Sequence, residues 1–114
     1  MINTANKMRK EVRSEMRGGT GEITLTHLVE GADMLGKARI AARLSIPPGS
    51  TIGEHPHGPD AEIYIIEKGV AIVTDNGARH EMKAGDAMFI GGGDTHSLAN
   101  GGDGILEVLA IVIE

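Results

Sequence analysis

Along most of the chain, apolar and polar residues alternate one by one. After Gly21, Ile23, Leu25, His27 and Val29 fall on one face while Thr24 and Thr26 fall on the other, which is the period of a half-buried strand. Residues 37–46 repeat the pattern, with Ala38, Ile40, Ala42, Leu44 and Ile46 against Lys37, Arg39, Ala41, Arg43 and Ser45, and Pro47-Pro48-Gly49 ends the run. Further short strands are predicted near 53–57, 61–67, 70–75, 78–83, 87–90, 95–100 and 105–113. Asp75-Asn76-Gly77 reads as a tight hairpin, because Asn-Gly adopts the positive φ angles such a turn needs. Only the start of the chain departs from this period. Met8, Val12 and Met16 lie four apart with charges between them, which predicts a short amphipathic helix over 5–17, stopped at Gly18-Gly19. Its apolar stripe is narrow, so it needs a barrel or a partner subunit to pack on. Arg9, Lys10, Arg13 and Arg17 are then expected to form its solvated face.

Many short strands with close turns predict an all-β fold, a small antiparallel β-barrel. The expected organisation is a single domain over 1–114, a helical arm at 1–20 followed by the barrel at 21–114. At 114 residues the chain can bury roughly two-thirds of its unfolded surface. With one Tyr, one Phe and no Trp, the core has to be built from aliphatic residues and Met.

Charge and hydropathy narrow the function. The net charge is −5 and the basic residues cluster only near the N-terminus, so the positive, aromatic-bearing footprint of a nucleic-acid binder is missing. The most apolar run, at 105–113, is far too short for a membrane span. The opening residues lack the apolar stretch of a secretory signal, which favours a cytoplasmic location. With no cysteine, no disulfide pattern bears on the compartment.

The residues that suggest chemistry lie in GEHPHGPDAEIYIIEKG, residues 53–69. On a strand His55 and His57 project side by side. Glu62 has the wrong parity to join them on one unbroken strand, but a turn at Gly58-Pro59-Asp60 would return it opposite the pair from an adjacent strand. Two imidazoles and a carboxylate can grip a divalent transition metal, and His96, on a late strand, could complete the set. Three neutral imidazoles and one carboxylate leave a divalent ion with surplus positive charge, and in six-coordinate geometry with open positions. Such a site can take an anionic or oxygen-donor molecule or acidify bound water. Because imidazole ligands must be deprotonated, metal affinity is expected to fall as pH drops through roughly 6.

These residues resemble the cupin family. Gly49, His55, His57, Glu62 and Gly69 match its first signature in every fixed position: glycine, five residues, His-x-His, four residues, Glu, six residues, Gly. Gly85, Gly93, His96 and Asn100 have the spacing of its second signature, with Gly91 standing where proline is usual. The interval 70–84 is as short as in compact bacterial cupins, and the resemblance extends over 37–113. It implies a jelly-roll barrel of two antiparallel sheets with the metal inside, commonly a homodimer. The family contains dioxygenases, decarboxylases, isomerases, epimerases, storage proteins and sensory domains, so the fold alone selects no reaction.

Two functions follow as expectations. One is a metal-dependent enzyme acting on a small polar or anionic molecule, either a dioxygenase-type oxidoreductase or a Lewis-acid isomerase or decarboxylase. Its ligands would be His55, His57, Glu62 and His96, its ion Fe, Mn, Zn, Ni or Cu, and Tyr64 its candidate catalytic side chain, with Glu54 a second candidate base. The other is a non-catalytic metal- and small-ligand-binding module or sensor. Ile52 stands where oxalate-decarboxylating cupins carry an arginine near the metal, so decarboxylation by their mechanism is not expected. His27, on an apolar face, reads as a buried or interface histidine with a partner of its own, and His80 as exposed. Arg39 and Arg43 read as solvated or interface residues opposite the apolar face of their strand.

Overall fold

A computed structural model describes residues 1–114. The chain forms ten strands, all paired antiparallel: β1 (Lys10–Ser14), β2 (Glu22–Val29), β3 (Ala38–Ile46), β4 (Thr51–Pro56), β5 (Ala61–Lys68), β6 (Val70–Asp75), β7 (Ala78–Lys83), β8 (Ala87–Ile90), β9 (Thr95–Asn100) and β10 (Leu106–Ile113). They make a six-stranded sheet in the order β1-β2-β3-β10-β5-β8 and a four-stranded sheet in the order β4-β9-β6-β7. The interleaved order gives the expected jelly roll. Ile23, Leu25, Leu44, Ile46, Ile66 and Val108 from the first sheet meet Ile52, Val73 and Leu98 from the second in one buried aliphatic cluster. The alternation seen along β2, β3, β5, β6 and β10 is the in-out alternation of this core.

The Asn76-Gly77 hairpin forms as its dipeptide dictates. Both residues have positive φ, 49° and 84°, and Asp75 pairs with Ala78 across a two-residue loop. Asn100 closes the turn before β10. Its amide donates to the carbonyls of Ile46 and Gly104 while its side-chain oxygen accepts from Gly102 N–H.

The start of the chain contradicts the helix expected over 5–17. It holds only 3₁₀ turns at Ala5–Lys7 and Met16–Gly18, with β1 between them on the free edge of β2. Pairing with that edge supplies backbone hydrogen bonds that a short isolated helix would have to make unaided. The strand parity also turns Glu11 and Arg13 inward and leaves Val12 59% exposed, so the four-residue spacing of apolar residues did not mark a buried face. Glu11 gains a partner by this inversion, because it reaches the buried His27.

The segment carrying the histidines differs from a plain strand in two respects. First, β4 is bulged. Ile52 pairs with Leu98 and His55 with His96, so three steps on β4 match two on β9. The extra residue lets Ile52 and His55, of opposite parity, both face inward. Second, Gly58-Pro59-Asp60 carries the chain from the four-stranded sheet to the six-stranded one, so β4 and β5 are not neighbours in one sheet as the sequence suggested. They face each other across the barrel.

Candidate metal centre

His55 and His96 are register partners on β4 and β9, which places their rings side by side with centroids 4.6 Å apart. His57 lies just past the end of β4. Its N–H donates to Asp94 O at 3.0 Å, and its carbonyl accepts from Gly93 N–H at 2.7 Å. Gly93 has φ of 90°, a conformation glycine adopts at little cost, so the turn before β9 holds the end of β4 in place. Glu62 approaches from β5 in the opposite sheet, flanked by Val112 of β10 and Ile90 of β8. All four residues are buried, and one donor atom from each lies within 4.8 Å of the others.

Hydrogen bonds around the cluster decide which nitrogens face its centre. His55 Nδ1 is 2.8 Å from Gly53 O, and His57 Nδ1 is 3.0 Å from a carboxylate oxygen of Asp60. Both partners can only accept, so each Nδ1 carries the proton and each Nε2 turns a lone pair inward. His55 Nε2 lies 3.1 Å from His96 Nε2, while Glu62 Oε1 is 3.1 Å from both His57 Nε2 and His96 Nε2. His57 Nε2 is buried with no hydrogen bond of acceptable geometry, although the Glu62 oxygen is near. Two inward lone pairs, one of them on the orphaned His57 nitrogen, and a carboxylate oxygen within a few ångströms form a costly arrangement unless a cation lies between them. The donor set therefore fits a divalent transition metal.

Burial lowers the His55 pKa, with Gly53 O opposing the shift, which favours the neutral imidazole a metal needs. Burial works against the Asp60 carboxylate. The hydrogen bond from His57 and the charge of Arg39 outweigh it and hold Asp60 below its ordinary value. Asp60 also pairs with Arg39, itself 3.4 Å from Glu114. The orienting chain thus runs Arg39–Asp60–His57.

Tyr64, two residues after Glu62 on β5, is 2% exposed and stacks on His96 with centroids 4.9 Å apart and planes 17° from parallel. Burial, reinforced by the Glu62 carboxylate, raises its pKa well above the ordinary phenol value. At neutral pH it is a hydrogen-bond donor and not a base. Glu54 faces outward and accepts from Thr95, so it is no part of the site. His27 is buried against Glu11 at 2.9 Å and stays outside the four-residue group, as its apolar surroundings suggested. His80 is exposed on β7, and Arg43 pairs with Glu67 away from the cavity.

The cluster opens into a cavity of about 360 Å³. Arg9, Arg13, Arg17 and Arg39 contribute to its walls, so the first three are not the plain solvated face expected of a helix, and Arg39 is more than a surface residue. The edge strand β1, with the residue before it and the turn after it, brings Arg9, Arg13 and Arg17 there, and β3 brings Arg39. The sequence held a faint sign of this in the concentration of arginines before Gly18, and the mistaken period concealed it.

An antiparallel jelly roll thus encloses a buried cluster of three histidines and one glutamate that could hold a metal ion, open to a cavity with four arginines in its walls. The chain belongs to the cupin family. The cupin domain model matches residues 42–112. The oxalate-binding protein of Thermotoga maritima is 42% identical over 113 residues, 99% of this chain and 93% of that protein. The crystal structure of a predicted oxalate decarboxylase from T. maritima superposes with a TM-score of 0.94 at 42% identity, covering 99% of this chain and 98% of that one. A dimethylsulfoniopropionate lyase, DddW, from Ruegeria pomeroyi is 31% identical over 94 residues, 79% of this chain and 61% of that protein. No helix is long and apolar enough to cross a membrane.

Proposed function

We propose that this cupin holds a divalent transition metal through His55, His57, Glu62 and His96 and binds on it a small carboxylate anion of the oxalate type. The observation that carries the reading is the convergence of four buried donors, with the protons of His55 and His57 drawn outward by Gly53 O and Asp60. The oxalate-binding relative, similar along nearly its whole length, supports the choice of anion. So does charge. Three neutral imidazoles and one carboxylate leave a divalent ion with one surplus positive charge, and arginines line the way in.

When bound, the ion would supply Lewis acidity toward carboxylate oxygens and, for iron, manganese or copper, a redox centre. The surrounding side chains have separate roles. Asp60, buttressed by Arg39, keeps His57 in one tautomer. Tyr64 packs its ring on His96 and keeps its proton, available for donation to an oxygen in the cavity. Ile52 lies in the aliphatic core, so that position offers no cation for decarboxylation, which favours binding over turnover.

A second reading, a metal-dependent oxidoreductase or Lewis-acid enzyme on the same site, draws on the buried Tyr64 donor beside the cluster. Calorimetry and turnover assays separate the two. Protein loaded with manganese or iron is titrated with oxalate, then incubated with a panel of small acids and phenols while oxygen uptake and substrate loss are followed. Saturable oxalate binding without consumption is the expected result. Steady loss of any panel member would establish the enzyme, and a metal-loaded protein that binds no oxalate would remove the anion assignment.

A further inference from the structure

The arginines of the cavity are not equivalent. Arg9 pairs with Glu30 at 2.9 Å, Arg13 with Glu11 at 3.0 Å, and Arg39 with Asp60 and Glu114. Each is largely neutralised by an acidic neighbour. Arg17 lines the same cavity as His55, His57 and Glu62, yet its guanidinium makes no hydrogen bond or ion pair with the protein.

We propose that Arg17 is the anion-selecting residue of the site: it receives the outward carboxylate oxygens of a small dicarboxylate whose other oxygens occupy the metal cluster. The inference rests on the metal-and-anion reading above and adds to it the residue that selects a dianion over a monoanion.

Backbone geometry fixes Arg17 relative to the cluster. Its φ and ψ of 54° and 33° are left-handed, an uncommon state for a residue with a side chain. The tight turn is closed by Gly18 N–H to Glu15 O at 3.0 Å and Gly19 N–H to Met16 O at 2.9 Å. It lies directly on β4. A Cβ at Gly53 would sit 2.1 Å from Arg17 O, and one at Gly19 would sit 2.1 Å from Thr51 O. Only glycines permit this approach. Gly53 is also the residue whose carbonyl accepts the hydrogen bond from His55 Nδ1–H. One glycine therefore joins the arginine's backbone to the orientation of a candidate ligand. Strain held this close to a functional cluster is commonly kept for its geometry.

Charge then selects the ligand class. The cluster with a divalent ion carries one surplus positive charge, and a dianion would leave one surplus negative charge. The unpaired guanidinium balances it, and its planar fork matches two carboxylate oxygens. A monoanion would balance the cluster alone and leave Arg17 with nothing to neutralise.

The test titrates manganese-loaded protein with oxalate, a dianion, and with acetate, a monoanion, in wild type, Arg17→Gln and Arg17→Lys. Manganese content and thermal unfolding are measured on each. Arg17→Gln should lose oxalate affinity by about 10- to 100-fold, the range for a lost charged hydrogen bond, and acetate affinity by less than about 3-fold. Arg17→Lys, which keeps the charge without the fork, should fall between. Wild-type oxalate binding should weaken with added salt more than that of Arg17→Gln. Oxalate affinity equal in wild type and Arg17→Gln would overturn the assignment, as would an equal loss for oxalate and acetate. Loss of manganese from Arg17→Gln would overturn it too, by making Arg17 a support of the cluster. A wild type that takes manganese but no oxalate would instead sink the anion reading itself.

Discussion

The barrel interior has two unlike halves. One is aliphatic, where Ile46, Ile66, Leu98, Leu106 and Val108 are at most 1% exposed and carry no polar side-chain atoms. The other holds His55, His57, Glu62 and His96, also buried though up to 8% exposed, with His57 Nε2 and His96 Nδ1 lacking hydrogen-bond partners. Burial in the first half stabilises the fold, while burial in the second costs free energy that only a ligand can return. Tyr64 stands at the boundary, its ring against His96 and its body in the aliphatic cluster.

The largest effect expected from breaking this division is in the aliphatic half. Leu98→Ala should lower unfolding free energy by about 2–5 kcal/mol, read by denaturant titration, while the folded fraction still takes one metal ion per chain. A comparable metal defect in Leu98→Ala would mean that the halves are not separable. Next comes a change in the polar half. His57→Ala should lose most of its metal by elemental analysis while the apo barrel unfolds no earlier than apo wild type, since an orphaned buried nitrogen is removed. Unchanged metal content in that variant would show the ligand assignment to be wrong.

A smaller effect is expected one step outward. Asp60→Asn should weaken metal affinity by about 10- to 100-fold, because an amide no longer enforces the His57 tautomer as a carboxylate does. Chelator competition measures it, and affinity equal to wild type would deny Asp60 its orienting role.

The smallest effect concerns β1. Hydrogen bonds from Arg13 and then His27 hold the Glu11 carboxyl at about 2, well below the ordinary carboxylate range. A depressed carboxylate pKa gives stability that is present above the unfolded value and lost as pH falls through the folded one. Glu11 keeps 31% of its side chain exposed, so solvent screens the pair and the contribution is small. Amide exchange along β1 should nevertheless rise relative to β10 between about pH 4.5 and pH 2. Glu11→Gln should remove that dependence, and its persistence in the variant would place the cause elsewhere.

The same contrast explains what could be read from the chain. Where a strand has one aliphatic face, period-two alternation locates it, as in β2, β3, β5 and β10, and the Asn76-Gly77 turn fixes its hairpin. The four cluster residues were legible because their spacing is itself the pattern, and the fold brings them together. The N-terminal segment was misread because β1 is an edge strand with Val12 turned to solvent, so its apolar spacing mimicked a helix. The bulge at Gly53 and the crossing at Gly58–Asp60 depend on contacts with Arg17 and on sheet order, which no local window contains. Asp60 could have been noticed, as an acid three residues after His57 in a turn. Its pairing with Arg39 could not.

The most direct test of the central claim is anomalous diffraction from crystals of the manganese-loaded protein. The expected result is one strong anomalous peak per chain, bounded by His55 Nε2, His57 Nε2, His96 Nε2 and a Glu62 carboxylate oxygen. Manganese found elsewhere, or bound with any of the three imidazoles turned away from it, would contradict it.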